Sequence, residues 1–167
     1  DGRVYVAHTR HLVCSTRYVV NFARVARSLP DHPRAGAWLD TAAHALAFVR
    51  HAHHDPRSGG YLWTLHWQHG RATALDTSQQ CYGLAFVLLA HAHAAMVQLP
   101  GALEGLQQTF ALMEQRFWDS AAGLYADEAG PNWEPSPYRG QNSNMHACEA
   151  LLAAFDATGE DRFLQRA

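Results

Sequence analysis

Residues 55–63 read DPRSGGYLW, and residues 119–127 read DSAAGLYAD, which is a related stretch displaced by 64 positions. Aspartate, glycine and tyrosine coincide in the two stretches, at Asp55 and Asp119, Gly59 and Gly123, and Tyr61 and Tyr125. A fixed displacement of this kind is the signature of a repeated supersecondary unit. The two stretches therefore indicate a chain built from similar units, each of 64 residues.

The segments around these stretches follow helical periodicity. Apolar residues recur at three- and four-residue spacing, and strand-like alternation is nearly absent. Five segments show the pattern, at 8–29, 35–54, 76–97, 102–118 and 142–157. Prolines and glycines separate them, as expected at helix ends. The sequence therefore predicts an all-α fold made of helix pairs.

The same displacement aligns one polar residue near the start of every odd-numbered helix. A shift of 64 places Tyr82 on His146, and a shift of 65 places Arg17 on Tyr82. A helix pair needs neighbours to bury its apolar face, so we expect a ring with parallel inner helices and antiparallel outer ones. Arg17, Tyr82 and His146 would then converge at one end of the ring. The alternative is that three unrelated polar residues stand at helix starts.

The period also bears on how much of such a ring the chain forms. Residues 1–167 read as a single domain without an internal linker, and they cover about two and a half units. Two and a half units cannot close a ring. We therefore expect either the N-terminal portion of a longer barrel or an open stack with exposed apolar edges, which soluble monomers avoid. Association into a homo-oligomer is compatible with such edges.

The last predicted helix has a polar face at its start. Asn142, Met145, His146 and Glu149 follow the i, i+3, i+4, i+7 pattern and share that face. A histidine beside an amide and a carboxylate can transfer protons near neutral pH, because its unperturbed pKa is about 6.5. The alternative is a buried histidine that donates to a backbone carbonyl.

The segment before this helix, residues 126–141, has no periodicity. It contains Trp133 and three prolines, a composition that favours an ordered loop over a disordered one. Long loops with aromatic residues are often functional. We expect this loop to form a wall of the pocket at His146.

The other histidines do not predict a metal site. His51, His53, His54 and Asp55 are crowded, but zinc needs at least three rigidly held ligands and a supporting shell. Histidine at the end of an outer helix also suits the helix dipole. Two further pairs are interpreted as solvated surface residues, namely His91 with His93 and His66 with His69.

Composition and cysteine usage narrow the class of protein. The net charge is −2 and the 13 basic residues are scattered arginines, which argues against nucleic-acid and anionic-membrane surfaces. No uncharged apolar run approaches the roughly 18 residues that a membrane span needs. Cys14, Cys81 and Cys148 lack CxxC spacing, so we predict reduced, structural core residues and a cytoplasmic protein.

Four strings together resemble the N-acylglucosamine 2-epimerase superfamily, within it the aldose–ketose isomerase branch that includes mannose isomerases. The strings are YRGQNSNMHACEALLAA, CSTRYVVNFA, GGYLW and CYGLAFVLLA, and RGQNxNMHxxEA is the most specific element. The resemblance covers essentially the whole chain. It implies part of an (α/α)6 barrel of twelve helices, a small-molecule sugar substrate, and no metal or organic cofactor.

The resemblance also assigns residues. It implies that His146 is an active-site histidine, that Asn142 and Met145 line the sugar pocket, and that Arg17 and Tyr82 contact substrate from the first two inner helices. Further candidates are Arg139, Trp133 and Glu149. The family's later GHxxE motif and second histidine, its acid/base pair, have no counterpart before Ala167.

The function expected from this resemblance is aldose–ketose isomerisation or C2 epimerisation of a free sugar through a cis-enediol. A glycoside hydrolase, with Glu149 and Asp127 as its two carboxylates, is one alternative. A non-catalytic carbohydrate-binding or interaction module is the other.

Overall fold

The computed structural model describes residues 6–167, and helices dominate it. The six α-helices among these residues are α1 Leu12–Ser28, α2 Ala35–Phe48, α3 Cys81–Met96, α4 Ala102–Arg116, α5 Gln141–Thr158 and α6 Asp161–Arg166. A π-helical turn, Val49–His53, continues α2. The described part of the chain contains no helix that is both long and apolar enough to cross a membrane.

Short strands lie between the helices, so the predicted all-α class holds only in the coarser sense of a mostly helical chain. They are β1 Thr9–His11, β2 His54–Asp55, β3 Gly60–Tyr61, β4 Thr64–Gln68, β5 Arg71–Asp76, β6 Gln79–Gln80, β7 Trp118–Asp119, β8 Leu124–Tyr125 and β9 Glu128–Ala129. β1, β4 and β5 form a three-stranded antiparallel sheet, and the other strands pair in twos. The fold is therefore mostly helical, with a small sheet beside the helix starts.

Strand pairing corrects two of the predicted helix boundaries. The segment 8–29 begins as strand β1, which pairs with β4 through Thr9 and His66, so α1 starts only at Leu12. The segment 76–97 begins with strand residues, because β6 pairs with β9, and α3 starts at Cys81. β4 and β5 are joined at His69 and Gly70, both with positive φ, the geometry of a type I′ hairpin turn. His66 lies on strand β4.

The two stretches that revealed the repeat have matching structures. In each, the glycine has a positive φ and its N–H donates to the aspartate carbonyl, Gly59 to Asp55 and Gly123 to Asp119, both at 2.8 Å. Each aspartate carboxylate accepts a backbone N–H two residues later, as in an Asx-turn. In each case the residues before and after the turn pair as a two-stranded ribbon, β2 with β3 and β7 with β8. The predicted repeat is confirmed at this level of detail.

The inner helices α1 and α3 run in the same direction. Near their starts Leu12 lies beside Gly83, and near their ends the Arg27 guanidinium donates to the Met96 sulfur at 3.2 Å. α3 packs on α5 in the same way, with Tyr82 against His146 near both helix starts. The prediction of parallel inner helices is confirmed.

The outer helix α4 runs against α3. Gly105, near the start of α4, packs on His91, near the end of α3. α3 itself is covered by α1, α4 and α5, so that twelve of its residues are buried. His91 is only 1 % exposed, which makes its interpretation as a surface residue wrong.

The three cysteines are free thiols in different surroundings. Cys81 is buried at the start of α3, and burial raises the pKa of its thiol. Cys148 is partly buried, whereas Cys14 is exposed, so the core assignment is wrong for Cys14.

Gly105 is a position where the helix packing requires the absence of a side chain. A Cβ added there would lie 2.0 Å from Cε1 of His91 and 2.5 Å from each ring nitrogen. The imidazole is rigid and buried, so it cannot move aside without displacing α3 from α4. We expect Gly105→Ala to lower the free energy of unfolding by about 2 kcal/mol, as overpacking of a core does.

The measurement is denaturant unfolding of the two proteins, with Gly36→Ala as the matched control. Gly36 is also helical, but a Cβ there meets nothing within 4 Å. That control should be unchanged or stabilised by up to about 1 kcal/mol, since alanine lowers the entropy of the unfolded chain. Equal effects of the two substitutions would contradict this account of the α3–α4 contact.

Candidate active site

Four side chains gather where the first halves of α1, α3 and α5 meet. The His146 imidazole lies between two rings, with centroids 5.0 Å from Tyr82 and 4.9 Å from Phe86. The Arg17 guanidinium lies 5.1 Å from the Phe86 ring centroid, a cation–π arrangement. The structure therefore brings Arg17, Tyr82 and His146 into one cluster with Phe86, called here the inner-helix cluster.

The helices fix this cluster through their own spacing. Tyr82 and Phe86 are four residues apart on α3, so their rings share one face and lie tilted to each other with centroids 5.1 Å apart. Arg17 approaches from α1 and His146 from α5, one on each side of α3. This close approach of α1 needs Gly83, where a Cβ would lie 3.0 Å from Leu12.

Among residues 6–167, His146 has one hydrogen-bond partner. Its Nδ1 lies 2.9 Å from Oε2 of Glu149, three residues further along α5. The His146 side chain is 20 % exposed and that of Glu149 is 55 % exposed. The imidazole is thus held in place by two rings and a carboxylate while remaining partly exposed.

Two aromatic residues that sequence reasoning missed continue the cluster. Trp63 lies edge-on to Tyr82 at 5.9 Å, and His11 lies edge-on to Trp63 at 4.3 Å. His11 also caps α1, since its Nδ1 accepts the Val13 N–H at 3.3 Å. Burial lowers the pKa of His11, which favours its neutral form. Trp63 is the last residue of the stretch DPRSGGYLW that revealed the repeat, and that position was the available signal.

Met145 and Asn142 stand on the same helix but outside the ring contacts. Both are exposed, Met145 at 53 %. Met145 and Glu149 line a concave cavity of about 650 Å³ together with Arg24, Arg27 and His93 of the neighbouring inner helices. Met145 is therefore available to a ligand in this cavity, which Asn142 does not line.

Arg139 and Trp133 have structural contacts that draw them away from His146. Arg139 donates to the Asp119 carboxylate at 2.9 Å and to two backbone carbonyls of its own loop. Trp133 donates its indole N–H to the Ser58 carbonyl at 3.0 Å and packs edge-on to Phe117. The loop is ordered, as expected, but its tryptophan contacts the α4 end and the Asp55–Gly60 turn.

The carboxylate and amide next to the start of α5 hold the backbone together. Asp127 accepts the Gly140 N–H at 2.8 Å. Asn144, which the sequence analysis did not single out, accepts the Tyr125 N–H at 2.8 Å and donates to the Tyr125 carbonyl at 3.0 Å. Asp127, proposed above as a hydrolase carboxylate, is thus engaged in fixing the loop to the helix.

The crowded histidines at the end of α2 separate in the structure. His53 is fully buried, with Nε2 2.9 Å from the Ser15 hydroxyl and Nδ1 2.9 Å from the Leu62 carbonyl. Burial lowers its pKa, so the ring is neutral and donates from Nδ1 to the carbonyl. His51 and His54 are exposed. Among residues 6–167, no three His, Cys, Asp or Glu side chains group together as metal ligands would.

Comparison with known proteins relates the chain to sugar isomerases and epimerases. The family model described as N-acylglucosamine 2-epimerase matches residues 1–167. A D-mannose isomerase of Marinomonas mediterranea is 44 % identical over 168 residues, covering 100 % of this chain and 40 % of that relative. The chain thus spans well under two thirds of the length of the curated relatives it matches.

Solved structures show the same relationship. A crystal structure of a D-mannose isomerase matches with a TM-score of 0.89 at 44 % identity, covering 99 % of this chain and 40 % of that one. The cellobiose 2-epimerase from Spirochaeta thermophila matches with a TM-score of 0.80 at 26 % identity, covering 95 % of this chain and 41 % of that one. The mostly helical chain therefore shares its fold with part of these enzymes.

Proposed function

Because the chain belongs to the N-acylglucosamine 2-epimerase family, we propose that this protein is a sugar isomerase or 2-epimerase. Its substrate is a free aldose, with D-mannose first among the candidates since three curated relatives and a matched solved structure are named D-mannose isomerase. The described residues form part of an (α/α)6 barrel, and the concave side of the inner helices faces the sugar. The observation that supports this most is the inner-helix cluster, where a partly exposed histidine packs on Tyr82 and Phe86 and the Arg17 guanidinium lies over the same Phe86 ring.

The reaction is a proton transfer between neighbouring carbons. The sugar ring opens and exposes the C1 carbonyl, and a base removes the C2 proton to leave a cis-enediolate. Return of a proton to C1 and loss of the O2 proton to O1 give the ketose, whereas return to the opposite face of C2 gives the epimer. An imidazole suits both removal and return, because its ordinary pKa lies near the working pH.

Each cluster residue has a role in this scheme. His146 carries the proton during ring opening or at C2. The Arg17 guanidinium faces the developing enediolate oxygen, where a fixed positive charge stabilises the transition state more than the neutral sugar. The Tyr82 hydroxyl and the exposed amide of Asn142 and thioether of Met145 orient the open-chain sugar.

Proton exchange with solvent separates isomerase from epimerase activity. The full-length protein is incubated with D-mannose in D₂O, and products are followed by ¹H and ¹³C NMR. We expect a ketose deuterated at C1 if the protein is an isomerase, or a C2 epimer deuterated at C2 if it is an epimerase. An N-acylglucosamine is run in parallel as the second aldose. Absence of product and of carbon-bound deuterium with both sugars would rule the proposal out.

A further inference from the structure

Glu149 is the one polar group within hydrogen-bond distance of His146 among the described residues, and it is not part of the proton path proposed above. We infer that Glu149 is a positioning residue that holds His146 in the Nδ1–H tautomer and leaves the Nε2 lone pair for the sugar. This inference rests on the proposed function for its consequence in turnover. Its structural part stands on the hydrogen bond alone.

The tautomer follows from the identity of the two partners. An ionised carboxylate has no hydrogen to donate and only accepts, so the hydrogen between Glu149 and His146 belongs to Nδ1. The two atoms lie 2.9 Å apart, within the range of an N–H···O hydrogen bond. A neutral imidazole carries one N–H, which leaves Nε2 unprotonated. The hydrogen bond at one nitrogen thus determines what the other nitrogen presents.

The rings of α3 keep the imidazole in this orientation. Tyr82 lies edge-on at 86° and Phe86 is tilted at 45°, with both centroids within 5.0 Å of the imidazole. A half-turn of the imidazole about its χ2 bond would place a carbon opposite the Glu149 carboxylate and lose the hydrogen bond. The rings restrict rotation of the imidazole, and the carboxylate selects between the two ring orientations that a half-turn about χ2 would interchange.

The tautomer decides whether His146 can act as a base. In the Nδ1–H form, Nε2 accepts a proton directly, whereas the other tautomer would direct an N–H toward the sugar and could only donate. Once Nε2 has taken a proton, the imidazolium and the carboxylate form a charge-assisted hydrogen bond, which is stronger than the neutral one. Glu149 therefore assists proton uptake without touching the reacting carbon.

The exposure of Glu149 separates this role from a structural one. Ion pairs between exposed side chains add little to stability, and the Glu149 side chain is 55 % exposed. Loss of its carboxylate should therefore leave the fold in place while changing the chemistry at His146. Loss of a residue needed for packing would instead disturb the fold while leaving the chemistry at His146 unchanged.

The test compares Glu149→Ala and Glu149→Gln, with Glu104→Ala as control. Glu104 is an exposed carboxylate on α4 that accepts a hydrogen bond from the Gln108 amide. ¹⁵N NMR of the imidazole, recorded with His146→Gln for assignment, reports the tautomer, and steady-state kinetics of the full-length protein on D-mannose report turnover. In Glu149→Ala we expect the Nε2–H form to gain population and kcat to fall about tenfold or more. KM should change less than kcat, because the effect lies in proton transfer rather than in sugar binding.

Glu149→Gln should retain the Nδ1–H tautomer through its amide oxygen and recover part of the lost turnover, while Glu104→Ala should match the parent protein. Retention of the Nδ1–H form in Glu149→Ala would overturn the inference, and so would turnover of that variant within twofold of the parent. If the parent protein converts no aldose, the proposed function fails, and the tautomer measured in Glu149→Ala alone decides the assignment of Glu149.

Discussion

His146→Ala should lower kcat for aldose conversion by a factor of about 10² to 10⁴, the loss typical of removing a positioned acid/base group. Alanine keeps the helix and removes the imidazole from between Tyr82 and Phe86. The inner-helix cluster then has no imidazole to take up the C2 proton. Since the His146 side chain is 20 % exposed, its loss leaves a hollow open to water rather than a dry internal cavity.

The measurement is steady-state kinetics of full-length parent and variant on the aldose that the parent converts, with circular dichroism to verify folding. His51→Ala is the matched control, because His51 is exposed on the turn after α2 and lies outside the inner-helix cluster. The control should keep parental kcat. Near-normal turnover by a folded His146→Ala protein would instead mean that His146 only packs between the α3 rings.

The helix pairs could be predicted because two features of the sequence indicate them. Apolar residues recur at helical spacing, and similar stretches recur at a displacement of 64 residues. Gly59 and Gly123 mark the same positive-φ turn in both units, and each turn lies shortly after the end of an outer helix. The small sheet could not be predicted in the same way. Thr9 pairs with His66, which is distant in sequence, and three residues of β1 are too few to show alternation.

The site was partly visible in the sequence for a similar reason. Arg17, Tyr82 and His146 occupy repeat-equivalent positions, so their convergence follows once the inner helices are parallel. Phe86 and Trp63 were missed because an aromatic residue on a helix or next to a turn looks like any core residue. Their place beside the polar residues depends on how α1, α3 and α5 pack, which no local pattern records.

His91 was misjudged because α3 is apolar on every side. A helix that is covered on every side has no polar face in its sequence. A single histidine on such a helix is then easily taken for the residue that faces solvent. In the structure α4 closes over that position at Gly105, and neither ring nitrogen has a hydrogen-bond partner among the described residues. Protonation of such a ring would bury a positive charge without a hydrogen-bond partner, so the surroundings favour the neutral imidazole.

Protonation of His91 should make the fold sensitive to mild acid. Burial, with a smaller contribution from the Arg50 charge, lowers the pKa of His91 to about 4 in the folded chain. In the unfolded chain it titrates near 6.5, so between pH 6.5 and 4 the unfolded state binds a proton that the folded state does not. The stabilisation is therefore complete above pH 6.5, declines as the pH falls, and is lost below about 4. The difference corresponds to roughly 3 kcal/mol of unfolding free energy.

His91→Leu isolates this contribution, because leucine fills a similar buried volume and does not titrate. Unfolding free energies of parent and variant, measured with denaturant at pH 7.5, 5.5 and 4, contain the same carboxylate contributions, which cancel in the difference between the two proteins. The parent should lose about 3 kcal/mol more than the variant across this range. Parallel pH profiles would mean that the α3–α4 contact opens to admit water at His91. His91 lies on the side of α3 that faces α4 and not at the inner-helix cluster. His91→Leu should therefore change how the unfolding free energy falls at acid pH without changing the pH dependence of turnover.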